Sequence, residues 1–450
     1  MVGVVVFIFM TLMLQDVVAD CSLGDFEKDL KDYDLSNKNI TIITDELPNL
    51  CGFLGAERLN FSENSINEIS RYGLSGLNKL VTLDLSRNKI SNLTFGIFEA
   101  LSSLQYMSLA RNSLVEIDEY IFWLLPNLTS LDFSYNRIIS IKERTFQKQN
   151  ELRWLSLSNN KIKHIPIGLF ENLGNLEFLD LSGNLIATIF PKTFNGCQRL
   201  SHLTIAMNIL TEIKNETFSG LTTLQFLNLS NNELTKVGTD AFKCYNEDDS
   251  IVCNLRYIDL SSNKLATFNL QEYFPGEDKF RNLSLILSDN KLKSIDNDSV
   301  NWIIRTDIFP ELKGNPWNCS CSNLYHAFNV LKDSPPLFCE YPRVIQGESW
   351  TALEDVIHCN ETDESRRIRD WDSAETDEID VKNITSQVGG DDRDVEHVDK
   401  DFLQTNLIVL GIYACTVLVA IVTILVITHY IGEPEDEEFW WEDKLAKRSY

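Results

Sequence analysis

Between residues 54 and 292 the apolar and polar positions fall in one recurring order. Leu80, Leu83, Leu85, Asn88 and Ile90 in one stretch return as Leu152, Leu155, Leu157, Asn160 and Ile162 three steps later. The asparagines set the register: Asn64, Asn88, Asn112, Asn136, Asn160, Asn184, Asn208 and Asn232 stand 24 residues apart, and Asn263 and Asn290 follow after longer steps. Alternation sends successive strand residues to opposite faces. The triplet Leu83-Asp84-Leu85 therefore predicts a short strand with both leucines inward and the aspartate outward. A fixed period of this length predicts a solenoid, each repeat one coil, with the strands stacked in parallel along one side about 4.8 Å apart.

Two columns have structural work to do in such a coil. Where the chain leaves the strand, backbone N–H and C=O groups are buried, and each one left unpaired costs ~1–3 kcal/mol. An asparagine amide carries both a donor and an acceptor, so stacked asparagines can satisfy those groups between coils. The second column is Phe98, Phe122, Phe146, Phe170, Phe194, Phe218 and Phe242, with Leu74 one step earlier. These rings are expected to fill the side opposite the sheet.

The segments LVTLDLSRNKI, LRWLSLSNNKI and LEFLDLSGNLI resemble the leucine-rich repeat family, whose repeats read L-x-x-L-x-L-x-x-N-x-L. The resemblance covers Cys21 to Cys359 and includes extracellular members with cysteine caps: Toll-receptor ectodomains, Slit-like modules and neuronal adhesion proteins. It implies an α/β solenoid, an arc with a parallel β-sheet on its concave face, capped by cysteines at both ends. On this reading residues 20–52 are an N-terminal cap, 53–314 hold ten repeats with an insertion near 236–254, and 315–359 form a C-terminal cap. Asn315 to Cys321 (NPWNCSC) with Cys339 and Cys359 is similar to the family's C-terminal cap. The resemblance implies the pairs Cys319–Cys339 and Cys321–Cys359, and the sequence leaves the crossed pairing open. Zinc is the competing reading of those cysteines, disfavoured in a secreted chain without a C-x-x-C pair. A Cys21–Cys51 bridge would tie the N-terminal lid, and a Cys244–Cys253 bridge would close the acidic insertion. Cys197 and Cys415 are left over.

The flanking sequence supplies an address. Residues 1–19 read as a signal peptide, apolar to Leu14 with small residues ahead of Ala19, although the usual basic residue is missing. Leu407 to Ile427 carries no charge and is long enough as a helix to cross a bilayer core of roughly 30 Å. The expected span is 406–431, after an acidic stalk at 360–405 and before a tail at 432–450. Together these predict a single-pass type I protein of the plasma membrane with its N-terminus outside. Glu433, Glu435, Asp436, Glu437 and Glu438 run against the rule of cytoplasmic Lys and Arg. Eleven N-x-S/T sequons counter that, all before the span: Asn39, Asn60, Asn92, Asn127, Asn215, Asn228, Asn282, Asn297, Asn318, Asn360 and Asn383. Arg366-Arg367-Ile368-Arg369 in the stalk fits a minimal processing site, and Trp440-Trp441 in the tail suits an adaptor peptide or an interfacial anchor.

The formal charge of −26 argues against nucleic acid and anionic membrane as partners. No catalytic motif, cofactor loop or metal-ligand spacing appears, and the six histidines are scattered. A non-enzymatic, cofactor-free protein is expected. The outward sheet positions remain as the working surface. Tyr106, Trp154, Phe178, His202, Phe226 and Tyr257 stand one position before the first inward residue. Asp84, Asp132, Asp180 and Asp259 lie between the inward pair, and Arg87, Arg111 and Tyr135 beside the asparagine. An aromatic strip rimmed by charge is the composition that protein interfaces favour. Rings at this position also have a structural reading, stacking between strands. Asn60 and Asn228 are sequons on the same face, which narrows the expected contact zone to Tyr106, Asp132, Tyr135, Trp154, Phe178, Asp180 and His202. The expected function is a receptor or adhesion protein for an extracellular protein ligand or an apposed cell-surface protein. What the resemblance implies is recognition with any signalling borrowed from a co-receptor, since no TIR domain follows the span. The alternative is an innate-immune co-receptor or shed decoy.

Overall fold

The computed structural model describes residues 31–350 except 51, 244–253, 275–279, 281, 321–326, 328–329, 332–336 and 342–345, with backbone alone at 49 and 50. The signal peptide, stalk, membrane span and tail lie outside the described residues. So do Cys21, Cys51, Cys244, Cys253, Cys321, Cys359, Cys415, Asn360 and Asn383. Among the described residues no helix is long and apolar enough to cross a membrane.

Eleven short strands form one parallel sheet in strict chain order, from Asp32–Asp34 to Ser284–Ile286. Each three-residue strand pairs residue for residue with the next, as in Tyr106↔Ser130↔Trp154↔Phe178↔His202↔Phe226↔Tyr257. The middle residue of each is buried, Leu83, Leu131, Leu179 and Ile258 among them, and the residue after the strand points back inside, as Leu85 and Leu181 do. The first strand, Asp32–Asp34, falls inside the segment expected to be a cap and pairs in register with Arg58–Asn60. Tyr33, Leu35, Phe53 and Phe61 form the core beneath it, with Tyr33 and Phe53 edge to face at 4.9 Å.

Helix is scarcer than the expected α/β class implies. Behind the sheet most coils return through consecutive turns, with a 3-10 helix at Ile167–Phe170 and α-helices at Leu270–Tyr273 and Asn297–Thr306. The last of these starts where Asp296 accepts the Ser299 N–H at 2.8 Å, an ordinary N-cap. A disulfide joins Cys319 to Cys339, beside Trp317 and Trp350, which pack edge to face at 5.7 Å.

The asparagines form the ladder that the backbone needs. Asn88 Nδ2 donates to the carbonyls of Phe61 in the preceding coil (2.9 Å) and of Leu85 and Ser86 in its own (3.0 and 3.1 Å), while its Oδ1 accepts the Ile66 N–H at 2.9 Å. The same four bonds recur from Asn88 to Asn290, the long step at Asn263 included. Asn315, the first residue of the NPW motif, continues the series: it donates to Leu287 and Leu312 and accepts from Leu292. The residue just before each asparagine has positive φ, as at Arg87 (54°), Arg111 (56°) and Met207 (53°). That left-handed turn aims its N–H at the next coil, Arg111 N to Ser134 O at 2.8 Å.

The phenylalanines are buried and stack face to face, Phe170 on Phe194 at 5.9 Å and Phe194 on Phe218 at 6.1 Å. Phe274 extends the column from Phe242 at 5.6 Å, and Trp302 follows with its Nε1–H on the Phe274 carbonyl. Cys197 also finds its place. It occupies a column otherwise held by Leu77, Leu101, Leu125, Leu173 and Leu221, and its Sγ lies 3.9 Å from the Phe170 carbonyl. Gln149, in the same column, donates to the equivalent Phe122 carbonyl at 2.7 Å. Burial pushes the Cys197 thiol up to about 12 from 9.0. A raised pKa contributes stability that is fully present below the unfolded value and is lost as pH climbs from 9 toward 12. Folded protein at pH 8 is therefore expected to resist alkylation at Cys197, which becomes reactive on denaturation. Mass mapping of labelled cysteines checks this, and labelling at the rate of a free thiol in the folded state would contradict it.

Candidate functional site

The outward positions of the sheet make two parallel columns. The first residue of each strand makes one column, and from Trp154 to Tyr257 that column carries a ring in every strand. Trp154 stacks on Phe178 at 5.5 Å with planes 7° apart, Phe178 lies 6.3 Å from His202, His202 lies 5.8 Å from Phe226, and Phe226 stacks on Tyr257 at 4.5 Å. In-register parallel pairing forces this, because identical positions in adjacent strands face one another at the strand spacing. Five rings thus run unbroken from Trp154 to Tyr257. Burial first, then the neighbouring Asp259 charge and a hydrogen bond to it, hold the Tyr257 phenol above its usual range.

Tyr106 belongs to the column but stands apart. Its register partner toward Trp154 is Ser130, which has no ring to offer. Over that serine opens a depression of about 640 Å³, walled by Tyr106 and Trp154 and bordered by Asp84, Ser108, Asp132 and Arg153. Tyr106 is 49% exposed. Arg153 is drawn toward the next coil by Glu177 at 2.7 Å, an exposed pair that adds little to stability.

The second column carries the carboxylates, and they have a local task that sequence reasoning missed. Asp84, Asp132, Asp180 and Asp259 each accept the N–H of the serine two residues on, at 2.8 to 2.9 Å, closing an Asx-turn where the strand ends. Asn60 and Asn228 do the same for Ser62 and Ser230. The signal was the recurring D/N-x-S triplet. One oxygen of Asp132 is therefore committed to the fold, and Asp180 also holds the Ser182 hydroxyl.

Of the expected site residues, Tyr106, Trp154, Phe178 and His202 share the ring column, and Asp132 and Asp180 share the carboxylate column. Tyr135 joins neither: it sits in the left-handed turn beside Asn136, with the Arg111 guanidinium 4.1 Å above its ring. The sequon asparagines Asn39, Asn92, Asn127, Asn215, Asn282 and Asn297 are exposed, while Asn60, Asn228 and Asn318 are half-buried. Among the described residues no group of three or more His, Cys, Asp or Glu side chains is placed to hold a metal.

A stack of in-register strands, an asparagine ladder and a ring-lined outer face define a leucine-rich repeat solenoid, a fold that in general serves as an interaction module and not as a catalyst. The repeat region matches two leucine-rich repeat family models: the BspA type leucine rich repeat region (6 copies) over residues 115–247 and 187–301, and the leucine rich repeat over residues 78–138. A search of curated proteins finds no match. Among solved structures, Drosophila Toll in its glycosylated complex with Spätzle is similar at 21% identity and a TM-score of 0.59, over 72% of this chain and 48% of that one. An internalin of Listeria monocytogenes is similar at 17% identity and a TM-score of 0.53, over 72% and 88%. A leucine-rich repeat protein of Leptospira interrogans gives 21% and 0.52, over 67% and 83%. At these identities the likeness is one of fold. The chain spans about half the length of the Toll chain it matches.

Proposed function

We propose that this chain is a cell-surface recognition protein that binds a protein ligand on the outer face of its sheet, the concave side of the expected arc, between Tyr106 and His202. The repeats lie outside the cell, the 406–431 segment anchors them as a single pass, and any signal passes through a partner. One observation carries the reading. The half-buried ring column ends at Trp154 beside an open depression with exposed Tyr106 across it, so aromatic surface is presented next to a cavity and unengaged carboxylate oxygens. Interfaces draw most of their energy from such aromatic anchors set in a pocket. Drosophila Toll in complex with Spätzle supports it as an instance of the same fold engaging a protein.

The test displays the full-length chain on cells and probes it with a ligand recovered by unbiased pull-down. Replacing both Trp154 and Phe178 by alanine is expected to leave surface levels unchanged and to weaken ligand binding at least tenfold, about 1.4 kcal/mol or more. Wild-type affinity in the double variant would refute the assignment. An N-terminal epitope reachable on intact cells, with a C-terminal one reachable only after permeabilisation, checks the topology.

A further inference from the structure

From Trp154 to Tyr257 the rings on the outer face of the sheet sit 4.5 to 6.3 Å apart, one per coil. At Ser130 a rung is missing. The strands bearing Tyr106 and Trp154 are two spacings apart, roughly 9–10 Å. That distance leaves room for one flat group to lie between them at the separation the other rings keep. Phe178 covers one face of Trp154 with the planes 7° apart, so its other face is turned toward the gap. Along the same strand, two residues on and on the same side, stands Asp132. Its Oδ1 is held by Ser134 N–H at 2.8 Å, and its second oxygen is left for a ligand. Asp84 borders the depression from the other side of Tyr106.

We infer that the gap over Ser130 is an anchor site for an arginine side chain of the ligand, whose guanidinium completes the stack between Tyr106 and Trp154 and pairs with Asp132. This rests on the reading of the sheet face as the recognition surface. Among protein side chains the guanidinium is the one that is both planar and permanently cationic, stacks on aromatic faces and matches a carboxylate. A lysine ammonium has the charge without the plane. A phenyl or indole ring has the plane without the charge, and would leave Asp132 without a counterion. The same pairing already occurs within the chain, where the Arg111 guanidinium lies 4.1 Å over the Tyr135 ring. The resident cation at the depression, Arg153, is held to Glu177 in the next coil. The formal charge of −26 favours a cationic partner at long range.

The probe is the blocked peptide acetyl-Gly-Arg-Gly-amide, titrated calorimetrically into the full-length chain beside its lysine and citrulline counterparts and a methyl hexoside. Citrulline keeps the plane and loses the charge. Arginine is expected to bind at least tenfold tighter than citrulline or lysine, with no measurable sugar binding. Ser130→Trp fills the rung and is expected to abolish arginine binding. Asp132→Asn is expected to erase the difference between arginine and citrulline. That variant keeps the turn, since Asn60 and Asn228 already close it with an amide, so it carries the test if Ser130→Trp melts early. Citrulline binding as well as arginine, full affinity in a folded Ser130→Trp protein, or preference for the sugar would each overturn the assignment. If the peptide binds as stated while the protein ligand ignores the Trp154 and Phe178 substitutions, the recognition surface falls and the gap stands only as an arginine-binding site, not as the ligand's anchor. If the ligand depends on Trp154 and citrulline matches arginine, only this one does.

Discussion

Replacing Asn136 and Asn160 together by leucine is expected to destabilise the fold by more than the sum of the two single replacements. The bonds explain why. Asn160 donates to the carbonyls of Phe133, Leu157 and Ser158, and its Oδ1 accepts the Ile138 N–H at 3.0 Å. Yet Phe133 O also accepts from Asn136, and Leu157 O also accepts from Asn184. Each carbonyl between coils is shared by two asparagines. A single Asn160→Leu change therefore orphans one group outright, the Ile138 N–H, at ~1–3 kcal/mol, and removes further bonds worth about 1 kcal/mol each. About 3–5 kcal/mol is expected. In the double variant the Phe133 carbonyl loses both of these donors, which adds a coupling of ~1–3 kcal/mol. A control pair, Asn88 and Asn208, shares no carbonyl and is expected to be additive within about 0.5 kcal/mol. Chemical unfolding of the four single and two double variants measures both cycles. Additivity in the first would mean that the shared carbonyls are satisfied some other way.

The solenoid was legible because one constraint, the 24-residue period, acts on every coil at once. Strand positions, inward leucines, the amide ladder and the ring spine all repeat, so each predicted residue is checked by its neighbours. What the period could not show were its departures. Asn315 extends the ladder from within a motif that reads as a cap, and Asp32–Asp34 begins the sheet in a segment with no L-x-x-L-x-L comb. Phe274 and Trp302 continue the spine across an irregular step where counting by 24 fails. Cys197 and Gln149 reveal their places only once their column of leucines is seen as a position that abuts the carbonyl of the preceding coil.

The candidate site was half legible. Its rings could be placed on one face from the strand pattern, and so could its carboxylates. Sequence could not tell a ring stacked on both sides from one with a free face, because that depends on what the adjacent coil contributes at the same register. Ser130 is the informative residue, and a serine on an outer strand position attracts no notice until the rings on either side are seen. The Asp column likewise looked like a charged rim, whereas each carboxylate first serves the turn that ends its own strand.

Phe194→Ala is expected to cost ~3–5 kcal/mol, the loss of a large buried side chain together with the cavity it leaves. The ring is 1% exposed and stacked on both faces, by Phe170 at 5.9 Å and by Phe218 at 6.1 Å. Close packing on both sides leaves the neighbours little room to collapse into the space, which places the value toward the upper end. Trp154→Ala removes an even larger side chain, but one that is stacked on one face and open on the other, so a loss of about 1 kcal/mol is expected. Both columns are aromatic and both stack ring on ring from coil to coil. They differ in place: one lies buried on the side of the coil opposite the sheet, the other on the outer face of the strands. A large loss at Phe194 with a small one at Trp154, read from midpoints of chemical unfolding, would separate a column that holds the coils together from a column kept free for contact. Equal losses would mean that Trp154 is part of the scaffold, and the ring column would then lose its standing as a binding surface.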